Sequence, residues 1–474
     1  MTSSFGTLNT AYTGLVAARQ GLAVVGDNIT NATTAGYTRQ EVNSTSITPA
    51  VEGTIAPTVQ VGGGVSVNNV TRVDNPLLDA QVRTSSAADG YATEQSSAMN
   101  SIEAALNEPG ANGLSSSLRA FWSAWQNVST QSTSAAAASL VISAGTQVAS
   151  QLAAGYTAAS TQWSSTRANM NQTVATINAT ASQLAQLNVQ IRSAAGAGNN
   201  ANGLIDQANQ LATTISNLSG ATVRNNADGS MDVLLGGNAL VSGGAVHSIA
   251  VTGATGMADA ATSPVAIIFT DSPNATTAVT SGALGADLAL LAPSNSSGTG
   301  GAIAQAAASY NAIATTLAGT VNAIHETGAN SAGTTGLDFF AIDATKPAAL
   351  GLSVIPTDAS GIAAATPGAG AANGDVADRL SALTTSATGA DAAWASFVVA
   401  IGTATSSATT YAATTSAASA TAVTNQQAES SVDTDQETTN MLTYQHAFES
   451  AARVMTTIDS MLDTLINKTG LVGL

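Results

Sequence analysis

The chain has 474 residues, 12 of them basic and 29 acidic, a net charge of −17, and only 9% charged and 4% aromatic side chains. Such an acidic surface repels phosphate backbones, which excludes nucleic-acid binding, and the absence of cysteine excludes disulfides, thiolate metal sites and cysteine nucleophiles. Ala, Ser, Thr, Gly and Asn dominate. They build long helices but offer few bulky groups for wide cores, so slender helical bundles follow.

The start, Met1-Thr2-Ser3-Ser4-Phe5, has no charged region followed by an apolar core, so no cleavable secretory signal is expected. The first strong pattern comes next: Leu8, Leu15, Leu22 and Ile29 fall every seven residues, with Ala11, Ala18 and Val25 between them. This predicts an amphipathic helix whose apolar seam needs a partner. The run from Asn28 to Tyr37, rich in Asn, Thr and Gly, ends it. Residues 38–72 read as β, with Thr and Val prominent and Gly62-Gly63-Gly64 as a turn before the alternating Val65 and Val67. Helix resumes near Pro76 and governs 85–198, broken once at Glu108-Pro109-Gly110. Within it Leu118, Trp122 and Trp125 form one stripe, and Trp163, Met170, Ile177, Leu184 and Ile191 recur every seven residues. A turn over 196–203 and a shorter helix over 204–218 follow.

At Thr222 the period changes to that of strands: Asp228-Gly229 and Gly236-Gly237-Asn238 are turns around Met231 to Leu235, and Val265 to Phe269 is a further apolar strand. Residues 222–293 thus form an inserted β-rich segment. Helix returns at 301–326 on Ile303, Tyr310, Leu317 and Ile324, residues 327–375 are irregular, and 392–427 is a Ser/Thr-rich, weakly amphipathic helix. Its apolar run from Ala392 to Ile401 is too short to cross a bilayer, so no membrane insertion is expected. The last helix repeats Met441, Phe448, Met455 and Leu462, with Tyr444, Ala451, Ile458 and Leu465 between them. Its natural partner is the first helix. The fold class is therefore α+β, mainly α: terminal helices paired as a coiled coil (1–37 plus 429–474), a long helical bundle with a small β segment near 40–72 (38–221 plus 294–428), and an inserted β-rich outer domain (222–293).

The string Gly14-Leu15-Val16-Ala17-Ala18 through Asp27-Asn28-Ile29-Thr30-Asn31, then Thr34-Ala35-Gly36-Tyr37, strongly resembles the opening of the axial proteins of the bacterial flagellum, the rod, hook and hook-associated group. Asp27 departs from the Asn usual there. Tyr37-Thr38-Arg39-Gln40 is similar to the hook-associated members in particular. So are Gly64 through Arg72, Leu204-Ile205-Asp206-Gln207, Asp228-Gly229-Ser230, Gly336-Leu337-Asp338-Phe339-Phe340, Asn440 through Gln445 and Leu462 through Asn467. The stretch Ser431 through Glu437 departs from the family's pattern. The resemblance implies an extracellular structural subunit of the junction between hook and filament, exported without a cleaved signal. Its implied partners are copies of itself in a helical layer, the hook protein, the next junction protein, and the export chaperone and export apparatus.

The residues proposed to act are an assembly seam (Leu8, Leu15, Leu22, Ile29, Met441, Phe448, Met455, Ile458, Leu462, Leu465) and the family motif (Asn28, Ile29, Asn31, Gly36, Tyr37, Arg39, Gln40). Tyr37, Arg39 and Gln40 are either an assembly contact or the packing of a turn against neighbouring helices. His247, His325 and His446 are scattered and form no His-Glu-x-x-His, and no Gly-x-Ser-x-Gly elbow is present, so no metal, cofactor or catalytic site is expected. Asp433 through Glu437 begin like a calcium loop, but Thr438 and Tyr444 occupy its key later positions. These acids suit a helix N-terminus instead. A hook or distal-rod protein would share the opening motif but have a β-dominated middle. A flagellum-associated enzyme or adhesin would need a catalytic constellation or a large binding domain.

Overall fold

A computed structural model describes residues 4–48 and 62–467. The first helix, α1 (Ser4–Asn31), is followed by β1 (Gln40–Ser46) and β2 (Val65–Arg72), an antiparallel pair. Of the stretch expected to be β, residues 49–61 lie outside the described residues, as do Lys468 and the rest of 468–474. Three helices follow, α2 (Pro76–Leu106), α3 (Leu114–Thr130) and the long α4 (Ala135–Gly196), then α5 (Asn202–Ser219). The Asn75 side chain caps α2 by accepting from the Leu77 amide at 3.0 Å, with Pro76 in the first helical position where its missing N–H costs nothing. A second interruption, unmarked by Pro or Gly, separates α3 from α4, and there the Ser134 hydroxyl accepts from the Ala137 amide at 3.3 Å.

Seven strands come next: β3 (Thr222–Asn225), β4 (Met231–Leu235), β5 (Asn238–Ser242) and β6 (Ala245–Val246) form one antiparallel sheet in chain order, and β7 (Ile249–Thr252), β8 (Ala266–Phe269) and β9 (Ser272–Thr277) form another. The segment expected to stay β to residue 293 instead turns helical at α6 (Gly282–Leu291). Leu284, Ala286, Leu290 and Leu291 of this short helix are buried, and the Trp163 indole donates to the Leu291 carbonyl at 3.2 Å. A short apolar run looks alike in strand and buried helix, which is why the pattern misled. The remainder is α7 (Ala302–His325), β10 (Phe340–Ile342), α8 (Ala348–Gly351), β11 (Leu352–Val354), α9 (Asp375–Ser381), α10 (Ala390–Ser430) and α11 (Thr434–Asn467).

One apolar core runs through this body. Trp163, Met170, Ile177, Leu184 and Ile191 of α4 are all fully buried, as are Leu118 and Trp125 of α3 and Leu317 of α7. The core continues into the strands through Val233, Leu240, Ile249 and Ile267. Two buried or half-buried asparagines of α4 fix them: Asn188 accepts from the Met231 amide at 2.9 Å and donates to its carbonyl at 2.7 Å, and Asn178 does the same to Ile249 at 2.9 and 2.8 Å. The strands therefore lie along α4 rather than standing clear of it.

Candidate functional site

The terminal helices α1 and α11 pair antiparallel: Gly14 faces Ala451 and Gly21 faces the ring of Tyr444, so seven residues forward on one helix match seven back on the other. Gly21 is needed at that crossing, because a Cβ there would fall inside the Tyr444 ring. The buried line of α1 is Ala11, Ala18, Gly21, Val25 and Asn28, while Leu8, Leu15, Leu22 and Ile29 are only half-buried beside it. The seam thus centres on the small residues that hydropathy treats as spacers, and the leucine row expected at its centre forms its flank. On α11, Ile458 is buried and Met441, Tyr444, Phe448, Ala451, Met455 and Leu462 are half-buried. Leu465 departs from the expected seam, at 62% exposed. Tyr12, Val16, Leu442, Val454 and Met461 also face outward on this pair. A close, small-residue contact between two helices leaves their larger apolar groups for something else to cover.

Where α1 ends, the family-motif residues close a joint to the body. Gly36 turns the chain at φ +75°, against the Gln210 side chain of α5, where a side chain of its own would have no room. Asn28, fully buried, accepts from the Tyr37 hydroxyl at 2.9 Å and from the Gln40 amide at 3.0 Å, and donates to the Gln40 carbonyl at 2.9 Å. Asn31 donates to the Asp27 carbonyl at 3.0 Å and accepts from Thr34 at 3.2 Å, finishing the helix. The Gln40 side-chain oxygen accepts from Asn202 at 2.9 Å and Asn200 at 3.2 Å, which brings in the start of α5. The Arg39 amide donates to the Ser430 carbonyl at 2.8 Å, which brings in the end of α10, while its guanidinium pairs with Glu41 at 3.0 Å.

At the centre lies the ion pair of Arg72 with Asp206 at 2.8 Å, with both side chains under a tenth exposed. Asp206 also accepts from the Thr38 amide at 3.1 Å, and Arg72 donates to the Thr38 hydroxyl at 3.0 Å. Burial outweighs these partners and holds the Asp206 carboxyl above its usual range. Burial, with the carboxylates of Asp27, Asp206 and Glu437 nearby, likewise pushes the Tyr37 phenol up to about 12, so it keeps the proton it donates to Asn28. Glu437 stands buried in the first turn of α11, and Asp433 caps that turn by accepting from the Asp435 and Gln436 amides at 2.9 and 3.2 Å.

These contacts decide what the motif does within the chain: Asn28, Tyr37, Arg39 and Gln40 are spent on bonds between its own elements. Sequence reasoning quoted Arg72 and Asp206 only as parts of longer motifs and missed Gly21. The ion pair joins residues 134 apart in the chain, which no local pattern reveals. The histidines do not gather. His325 is buried in the core, taking the Ala363 amide on Nε2 at 2.9 Å and meeting the Leu337 carbonyl through Nδ1, and burial lowers its pKa. His247 pairs with Asp271 at the surface, and His446 is exposed. Among the described residues no three His, Asp or Glu side chains are grouped to hold a metal ion. Phe339 and Phe340 of the Gly-x-Asp-Phe-Phe motif are core, their rings packed at a tilt against Phe121 with centroids 5.6 and 5.7 Å away.

Residues 99–340 match the profile of the flagellar hook-associated protein FlgK helical domain, about half of the chain. The chain is also 30% identical to flagellar hook-associated protein 1 of Bacillus subtilis over the whole length of both. The chain belongs to the flagellar hook-associated protein 1 family. Its Escherichia coli relative is 26% identical over 72% of this chain and 61% of that protein. The flagellar hook junction protein FlgK of Burkholderia pseudomallei has the same fold, with a TM-score of 0.62 at 18% identity over 76% of this chain and all of that one. Residues 426–468 match a second profile, the C-terminal segment of the flagellar basal body rod FlgEFG proteins, so the last helix is of a kind shared more widely among axial subunits. The family is structural, and the chain is a mainly helical structural subunit of the flagellum.

Proposed function

We propose that this chain forms the junction between the flagellar hook and filament as a load-bearing layer of identical subunits. The terminal pair (1–37 with 429–474) makes the inner wall, and its half-exposed leucine row and outward apolar residues are covered by neighbouring copies. The helical body makes the next shell, with the strands of 222–277 on its outer side and 282–291 belonging to the body. The observation that carries this reading is the joint at Asn28, Tyr37, Arg72 and Asp206, which fastens the terminal pair to α5, β2 and α10 so that force on one is passed to the other. Its further partners are the hook protein, the next junction protein, and a chaperone and apparatus that export it to the cell exterior. Among the described residues no helix is long and apolar enough to cross a membrane.

A hook or distal-rod role has the shared opening motif and the rod-type profile at 426–468 in its favour, and the match at 99–340 favours the junction. Immunogold labelling of isolated hook–basal bodies separates the two: label confined to the hook tip is expected, and label along the hook or rod refutes the junction.

A further inference from the structure

The joint between the terminal pair and the body contains a cavity of about 530 Å³, lined by Gly36 and Tyr37 of the turn, Asp79 and Arg83 of α2, Asn209 of α5 and Gln426 of α10. Two ionisable groups in its wall have unfinished bonding. Arg83 is 6% exposed and carries five N–H donors, yet among the described residues it makes one hydrogen bond, from Nη1 to the Asn209 side-chain oxygen at 3.3 Å. Asp79 is 5% exposed; its Oδ1 accepts from Gln426 at 2.5 Å, and its Oδ2 is buried with no partner among the described residues. The two stand four residues apart on α2, acid first, the order that favours a pair along a helix. Burial lowers the Arg83 pKa and the Asp79 charge opposes that, but among the described residues no ion pair joins them. The other carboxylates that line the cavity, Asp74 and Asp206, are both held by Arg72, at 2.9 and 2.8 Å. Asp79 is the one left open to Arg83.

We propose that Arg83 is a two-position latch, a reading that rests on the force-passing joint described above: it bonds Asn209 when the joint is closed, and turns through the cavity to Asp79 when α5 draws away from α2. Each position has its own advantage. The first ties two helices together and keeps α5 packed on α2, where the Asn217 side chain also donates to the Ser86 carbonyl at 2.8 Å. The second lies within α2 and meets an ionised acceptor, which makes a hydrogen bond roughly twice as strong as a neutral one does. It also gives Oδ2 the partner that the first withholds. Opposed gains of this kind support two discrete arrangements, and a pull on the terminal pair shifts the balance between them. Thr38, Arg72 and Asp206 stay bonded to one another and move with α5. The joint can therefore yield without losing the ion pair at its centre.

The chain has no cysteine, so spin labels at Thr84→Cys on α2 and Thr214→Cys on α5, both exposed positions, report the separation of these two helices in the full-length monomer. Pulsed electron paramagnetic resonance should resolve a shorter and a longer distance. Asp79→Asn keeps an acceptor for Gln426 but not the charge that draws Arg83, so the longer distance should vanish. Asn209→Ala removes the acceptor of the closed position, so the longer distance should become the main one. Both variants should keep the helical circular dichroism of the labelled parent, and if one loses it the other decides. A single distance in the parent overturns the latch. So does a longer distance that persists in Asp79→Asn, or a ratio unchanged in Asn209→Ala. The measurement is made on the free monomer, so its failure leaves the junction reading to be judged by the labelling of hook–basal bodies.

Discussion

The terminal pair and the helical body are both made of long, weakly charged helices, yet they are held together differently. In the body, Trp125, Trp163, Phe121, Phe339 and Phe340 are fully or almost fully buried in one continuous core. Among the described residues of the terminal pair the buried apolar ones are Ala11, Ala18, Val24, Val25 and Ile458, and none belongs to that core. Burial stabilises by roughly 25 cal/mol per Å² of apolar surface, so alanines and glycines contribute little where tryptophans contribute much. The body is built to fold alone. The pair is built to fold in company, held to the body meanwhile by a polar joint.

The sharpest way to break this contrast is to hollow the body. Trp163→Ala removes a fully buried indole and its bond to Leu291, and should cost about 3–5 kcal/mol, read as a lower denaturant midpoint. A loss below about 1 kcal/mol would mean that α4 is not the centre of the core. Cutting the joint comes next. Arg72→Met leaves Asp206 buried without its cation, for which removal of one partner typically costs about 3–5 kcal/mol. The raised pKa of Asp206 lets it take up a proton, so the loss should fall toward 3 kcal/mol. Trypsin should then cut after Arg39 faster than in the wild type while the core of the body keeps its resistance. Equal resistance at Arg39 would show that the joint is not what fastens the pair.

Within the pair, Gly21→Val drives a side chain into the Tyr444 ring and should cost about 1–3 kcal/mol as overpacking. Cleavage at Arg19 and Arg453 reports it. Adding Tyr444→Ala makes room and should recover most of the loss, and a double variant no better than the single would place the two helices in a different register.

The same contrast explains what could be read from the chain beforehand. The heptads of α4 and α7 were legible because a long helix between others must bury a large residue every turn or two, and it does so at Trp163, Met170, Ile177, Leu184 and Ile191. Both rows of the α1 seam were legible in the chain, but not that the Ala11, Ala18 and Val25 row is the more buried, because close packing favours Ala and Gly, which hydropathy ranks below Leu. Helix α6 was missed because a short apolar run reads alike in a strand and a buried helix, and its docking against Trp163 lies far away in the chain. The joint's residues stood out by family resemblance, but their roles depend on partners far away in the chain. Asn178 and Asn188 offered no signal at all, since a polar residue in a helix looks solvent-facing until a strand lies over it.

The body also carries a pH dependence. Asp287 on α6 is 2% exposed, and burial, with Glu94 of α2 nearby, pushes its pKa to about 8. A carboxyl raised in the fold contributes its full stability below the unfolded value near 3.8 and loses it as pH rises through about 8, because the unfolded chain gives up the proton first. Asp287→Asn removes that loss and should stabilise the protein by about 1–2 kcal/mol at pH 7, the amide still being a buried polar group. Melting points of the two proteins should converge toward pH 4. A gap that does not change with pH would mean that Asp287 is ionised in the fold.

The smallest effect on the monomer should accompany the largest on assembly. Leu15 is half-buried on the flank of the terminal seam, so in the free chain Leu15→Asp can turn its carboxylate to water and should cost about 1 kcal/mol or less. In a layer that covers the leucine row, the same carboxylate would be enclosed at a cost that Arg19, exposed one turn along α1, offsets only in part. The variant should therefore melt with the wild type, reach the culture medium as soluble protein, and support no filaments. Filaments of normal number and length in cells carrying only Leu15→Asp would show that neighbours leave this row uncovered, and the division of labour between pair and body would have to be redrawn.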